Sequence, residues 1–147
     1  MKYDDASWHA GGDFPETSPE EFGGTHIALF LKWCFIKGWH GDMHREENQK
    51  DVVAVISGQM SATDFFFKNC GGKLTDEDFS IDGNKFAERY FGDNGLYLDD
   101  YVSLFGDQMY VSPEAEHDFR ALSELIEKRF QSGKLTKQPW WKFWSKA

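Results

Sequence analysis

Five histidines, His9, His26, His40, His44 and His117, are the side chains best suited to proton transfer or metal ligation near neutral pH. Asp4, Asp5, His9 and Asp13 cluster near the N-terminus, and His26 follows at the head of an apolar run. A carboxylate beside an imidazole fixes its tautomer and strengthens it as a base, which is what general acid–base chemistry needs. The same residues have a local reading. Aspartates accept backbone N–H groups in turns, and a buried histidine is oriented by a carboxylate. The local reading is preferred, because no nucleophile motif accompanies the group: Ser7 lacks a GxSxG elbow, and neither Cys34 nor Cys70 has a CxxC neighbour. His40 and His44 are four apart, with Glu47 beyond, a spacing that gathers metal ligands on a helix. His40 precedes Asp42, however, the residue expected to open that helix, and no HExxH pattern is present, so no metal is assigned. Gly11-Gly12 and Gly71-Gly72 are bare turns rather than phosphate loops, and no cofactor is implied.

The element that must position any such group is Thr25 to Gly38, THIALFLKWCFIKG. From Ile27 to Ile36 only Lys32 breaks an apolar run, so the helix is expected to be buried nearly all round. Thr25 is read as its N-cap and Gly38 as its left-handed exit. Residues 3–24 read as an ordered loop, with Tyr3, Trp8, Phe14 and Phe22 seeking burial. Asp42 is expected to cap a helix to about Ser57, with Met43, Val52, Val55 and Ile56 inward and Arg45, Glu46, Glu47, Gln49 and Lys50 in solvent. Ser61/Asp64 and Thr75/Asp78 are both capping-box spacings. A further helix begins near Asp82, carrying Phe86, Tyr90 and Phe91 inward. Residues 96–105 suit a helix better than a strand, and residues 108–111 a short extended piece. Ser112-Pro113-Glu114 starts the best-patterned helix, with Ala115, Phe119, Leu122, Ile126 and Phe130 on its inner stripe, to about Gln131. The expected fold is mostly α, one helical domain over residues 1–133 around the central helix, followed by a basic aromatic tail, residues 134–147.

Composition sets the partners. The 147 residues carry a net charge of −9 and include 14 Phe, 6 Trp and 5 Tyr. All the acids precede residue 128, so the first 133 residues, with 12 basic and 25 acidic side chains, reach −13. Such a body repels nucleic acid and attracts basic partners, although the acids also keep an aromatic-rich chain in solution. In the tail, Trp140, Trp141, Phe143 and Trp144 lie among lysines. They suit docking on the acidic body, the preferred reading, or contact with lipid or a partner. MKYDDASWH has no apolar stretch of signal type, and two cysteines make no disulfide framework, which is the pattern of a reduced, cytoplasmic protein.

YDDASWHAGGDFP followed by GGTHIALFLKW resembles the opening of a family of small, uncharacterised bacterial cytoplasmic proteins. Proteins of that kind resemble the immunity proteins encoded beside polymorphic or contact-dependent toxins. The resemblance implies an inhibitor that binds one toxin domain and brings no catalytic residues with it. Together with the charge, it leads to the expectation of a cognate toxin with a basic surface, a nuclease for instance. Glu46, Glu47, Asp99, Asp100 and Asp107 would then be the acidic contacts, with Trp39 and Tyr101 as ring anchors. The alternative is a small enzyme using Asp4, Asp5, His9 and His26.

Overall fold

The computed structural model describes residues 1–9, 23–106 and 116–137. Among the described residues the fold is mostly α with one small sheet, and its centre is helix α2, Thr25–Ile36. Ten of its twelve residues are buried. Lys32 is half-buried and stretches its stem so that Nζ sits 4.4 Å over the Phe119 ring. The helix opens one residue earlier than the sequence suggests: Gly24 is the N-cap, and Thr25 is buried as the first helical residue. Gly24 is pressed against α5, Ala62–Cys70, where an added Cβ would lie 3.0 Å from the Phe67 ring. A small residue is therefore what lets the chain enter here.

Rings make the core around α2. Phe30, fully buried, has Phe91 and Tyr97 at 5.1 and 5.0 Å and Phe79, Phe86 and Tyr90 at 6.0 to 6.2 Å between centroids. Most pairs are tilted or edge-on, the geometry that aromatic quadrupoles favour.

The expected helix from Asp42 to Ser57 is two helices, α3 (Asp42–Glu47) and α4 (Gln49–Ser57). Gly41, not Asp42, is the N-cap. The break falls at Asn48, whose side-chain amide bonds His44 Nδ1 at 3.0 Å. Val52 and Val55 face inward, Met43 is half-buried and Ile56 is 41% exposed, so the inner stripe of α4 is narrower than expected. The cap at Ser61 is formed as expected, its hydroxyl accepting Asp64 N–H.

The N-terminal stretch differs from the expected loop. Lys2–Asp5 is strand β1, antiparallel to β2, Lys73–Thr75, with a register shift between Lys2 and Asp4. Lys2 pairs with Thr75, and Asp4 and Asp5 with Leu74 and Lys73. A strand without such a shift alternates its faces; here two consecutive aspartates are both buried. A short helix, α1 (Ala6–His9), follows, and Trp8 is 60% exposed rather than buried. After β2, Thr75 and Asp78 form the expected capping box, on the 3-10 turn Asp76–Asp78.

Helix α6, Ile81–Tyr90, is capped by Ser80, and α7, Tyr97–Phe105, is helical as expected. Helix α8, Glu116–Ser132, packs against α7 and buries Leu122 and Ile126. Beyond Gly133 the chain runs along the α6–α7 connection: Leu96 N–H donates to Leu135 O, Lys137 N–H donates to Asn94 O, and Leu135 is buried. The extended piece near residues 108–111 and the tail from residue 138 lie outside the described residues.

Candidate functional site

Among the described residues, two clusters of imidazole and carboxylate emerge, one anticipated and one not. The first is Asp4, His9 and His26. Strand β1 delivers Asp4, α1 folds His9 back onto it, and the first turn of α2 carries His26 beneath. His9 Nε2 donates to the Asp4 carboxylate at 2.9 and 3.1 Å, and His26 Nε2 approaches Oδ2 at 3.3 Å. The two imidazoles meet edge to face, 4.4 Å apart. Asp4 also accepts the Asp5 N–H at 2.8 Å.

Burial by itself would raise the Asp4 carboxyl, but hydrogen bonds from His26 and His9 outweigh it and hold the group well below the usual carboxylate range. His26 moves down, because complete burial penalises the imidazolium more than the Asp4 bond favours it. The result is an ionised carboxylate bridging two imidazoles. Tyr97 OH donates to the His26 carbonyl, tying α7 to the same spot.

Asp5 is not part of this group. Its Oδ1 accepts Ser7 N–H at 2.9 Å and Ser7 Oγ–H at 2.7 Å, and its Oδ2 pairs with Lys2 Nζ at 3.0 Å. That is a turn-forming role, the local reading of this residue. Asp4 and His9 line a cavity of about 380 Å³ together with Tyr3, Trp8, Phe91 and Asp99. Lys137 is also in its wall, and its Nζ lies 3.5 Å from Asp99 Oδ2. A larger groove of about 960 Å³ between the end of α2 and α8 holds the Lys37–Glu127 ion pair.

The second cluster joins three elements. His44 from α3 donates Nε2–H to Asp78 Oδ1 at 2.8 Å, and Cys70 at the end of α5 directs Sγ to the same oxygen at 3.4 Å. Both members of the His44–Asp78 pair are buried. The His40/His44/Glu47 spacing, to which no metal is assigned from sequence, brings no such group together here. Glu47 is exposed, and the His40 backbone bridges to Phe79 instead. His44 and Asp78 lie 34 residues apart, a separation that no local pattern reports. The capping spacing at Thr75 and Asp78 was the one visible sign of order there.

The expected contact residues divide. Glu46, Glu47 and Asp99 are exposed. Asp100 is not: it is 6% exposed, held by the Arg129 guanidinium through Nε at 2.8 Å and Nη2 at 2.9 Å, and by Tyr90 OH at 2.6 Å. The amphipathic register of α7 turns it inward beside Tyr101, which is buried as well and so offers no anchor. Trp39 is half-buried, among Trp33, Phe86 and Phe130 at 5.3 to 5.7 Å, and serves the core. Asp107 lies outside the described residues.

What the exposed acids do share is position. Asp42, Glu46 and Glu47 on α3 and Asp76 and Glu77 on the 3-10 turn are all exposed, and α3 packs directly on that turn. Gly41 N–H donates to Asp78 O at 3.1 Å, which brings the two acidic stretches side by side. Arg45 and Lys73 are exposed among them.

A family model described as a domain of unknown function (DUF7832) matches residues 2–113. No curated protein and no solved structure matches the chain. Among the described residues, no helix is long and apolar enough to cross a membrane.

Proposed function

This chain belongs to the DUF7832 family, whose function is unknown, and we propose that it is a binding protein of immunity type, one that blocks a cognate toxin by covering a basic surface. The observation that carries the reading is the exposed acidic face built from α3 and the adjoining 3-10 turn. A mainly acidic patch, with Arg45 and Lys73 among its acids, on a body with a net charge of −9 steers a basic partner to it and raises the rate of encounter. The N-terminal stretch resembles the opening of small bacterial proteins of a kind that in turn resembles immunity proteins, and this is in keeping with the same reading. The face is also firmly supported from beneath, since the buried His44–Asp78 pair pins α3 to the turn. The test is complex formation between the purified chain and the product of the neighbouring gene, read at rising salt. Glu46→Lys with Glu47→Lys slows association at least about tenfold at low salt; no complex, or one indifferent to both changes and to salt, removes the reading.

A second reading rests on a different observation: Asp4 and His9 stand in the wall of a cavity, with the carboxylate held ionised. An acid–base role there makes the chain a small hydrolase or isomerase. His9→Gln would then abolish turnover while leaving the melting temperature nearly unchanged, whereas a structural role lowers the melting temperature and leaves complex formation intact.

A further inference from the structure

We propose that His44 Nε2, Cys70 Sγ and Asp78 Oδ1 form a three-ligand site for a divalent transition ion of the zinc class. The proposal is independent of the acidic-face reading. The three atoms make a triangle with sides of 2.8, 3.4 and 3.9 Å. The circle through them has a radius of about 2 Å, the length of zinc bonds to imidazole nitrogen and carboxylate oxygen and just short of the bond to thiolate sulfur. An ion therefore reaches all three with small movements: Nε2 and Oδ1 part from hydrogen-bond distance toward the ~3.3 Å edge of a tetrahedron built on ~2 Å bonds.

The donor set is the second argument. Sulfur, nitrogen and oxygen together suit zinc and its neighbours rather than magnesium or calcium, which take oxygen. Charge is the third. One thiolate and one carboxylate neutralise a divalent ion, so the occupied site is neutral, which suits a place where His44 and Asp78 are both buried.

The ligands are also held in position. Asp78 Oδ2 accepts Thr75 N–H at 2.8 Å, leaving Oδ1 for the ion. His44 Nδ1 lies 3.0 Å from the Asn48 amide, which by turning presents its oxygen to an Nδ1–H. On binding, the Cys70 thiol loses its proton to solvent and sulfur bonds the ion. The imidazole proton moves from Nε2 to Nδ1, and the Nε2 lone pair takes its place on the ion. The chain releases one proton, and no oxidant or reductant takes part. Three protein ligands leave a fourth position for water or a partner's donor, on the side where Cys70 is half-buried.

The Asp4/His9/His26 group also has ligand atoms close together but carries no sulfur, which makes the two sites distinguishable by spectroscopy. The test is a Co²⁺ titration of the reduced, tag-free, full-length chain after treatment with chelator. The expected result is a near-ultraviolet thiolate-to-cobalt band saturating at one equivalent, displaced by Zn²⁺, kept in Cys34→Ala and lost in Cys70→Ser. X-ray absorption of the zinc-loaded natural chain gives a readout that needs no variant, one sulfur at ~2.3 Å. No charge-transfer band, a band that survives Cys70→Ser, or cobalt bound without sulfur overturns the proposal; the last result moves the site to Asp4, His9 and His26.

Discussion

At the scale of single residues, burial separates side chains that look alike in sequence. Asp99 and Asp100 are neighbours, yet Asp99 is exposed while Asp100 is locked to Arg129 and Tyr90. Replacing Asp100 by Asn leaves a guanidinium and a phenol poorly matched, and Asp100→Asn is expected to cost about 2 kcal/mol in urea unfolding, toward the low side for a buried pair because Arg129 keeps 27% of its side chain exposed. Asp99→Asn, by contrast, stays within about 0.5 kcal/mol of the natural chain.

His26 sets a pH dependence at the same scale. Its folded value is below the ordinary one, so on acidification the unfolded chain takes up its proton first. Stability is whole above about pH 6.5 and declines as the pH falls from there toward the folded value. His40, lowered by burial and then by Arg45, acts in the same sense. Asp4, held low, adds a further loss that begins only below about pH 4. Melting temperatures between pH 7.5 and 5 are expected to fall, and His26→Gln to flatten the slope. A midpoint that rises over this range contradicts the assignment.

At the scale of elements, what was legible in the sequence is what local chemistry encodes. The apolar run of α2, the caps at Ser61 and Thr75 and the Leu122–Ile126 part of the α8 stripe all depend on neighbours within a few positions, and all were readable, whereas Phe130 at the end of that stripe is 38% exposed. Strand β1 was not. Lys-Tyr-Asp-Asp has no β-branched residue and no alternation, and it is a strand only because Lys73–Thr75 lies beside it. The split at Asn48 was likewise invisible; there the Asn48 amide bonds His44, which in turn bonds Asp78 34 residues away. Gly41 makes that approach possible: an added Cβ would fall 2.2 Å from the Glu77 carbonyl oxygen. Gly41→Ala is therefore expected to destabilise the fold by about 2 kcal/mol, and to loosen α3 and the turn together in amide exchange. Protection unchanged at Arg45, Asn48 and Thr75 contradicts the coupling.

At the scale of the molecule, charge, size and resemblance led to the expectation of a binding protein, and composition could say no more because it has no direction. The fold supplies direction. It places Glu46 and Glu47 beside Asp76 and Glu77, and it withdraws Asp100, Tyr101 and much of Trp39 into the core. The candidate acid–base group was half legible: Asp4, His9 and His26 come together, but Asp5 caps its own turn. The His44, Cys70 and Asp78 cluster could not be read at all, since its members are 8 to 34 residues apart and meet only through packing.

The measurement that tests the binding reading most directly is growth rescue: expression of the neighbouring gene product with and without this chain, alongside the Glu46→Lys, Glu47→Lys form. The account predicts growth arrest relieved by the natural chain and restored in part by the doubly reversed one, at equal protein levels. Full growth without the chain, or rescue undiminished by the reversal, contradicts the claim that this acidic face is the working surface.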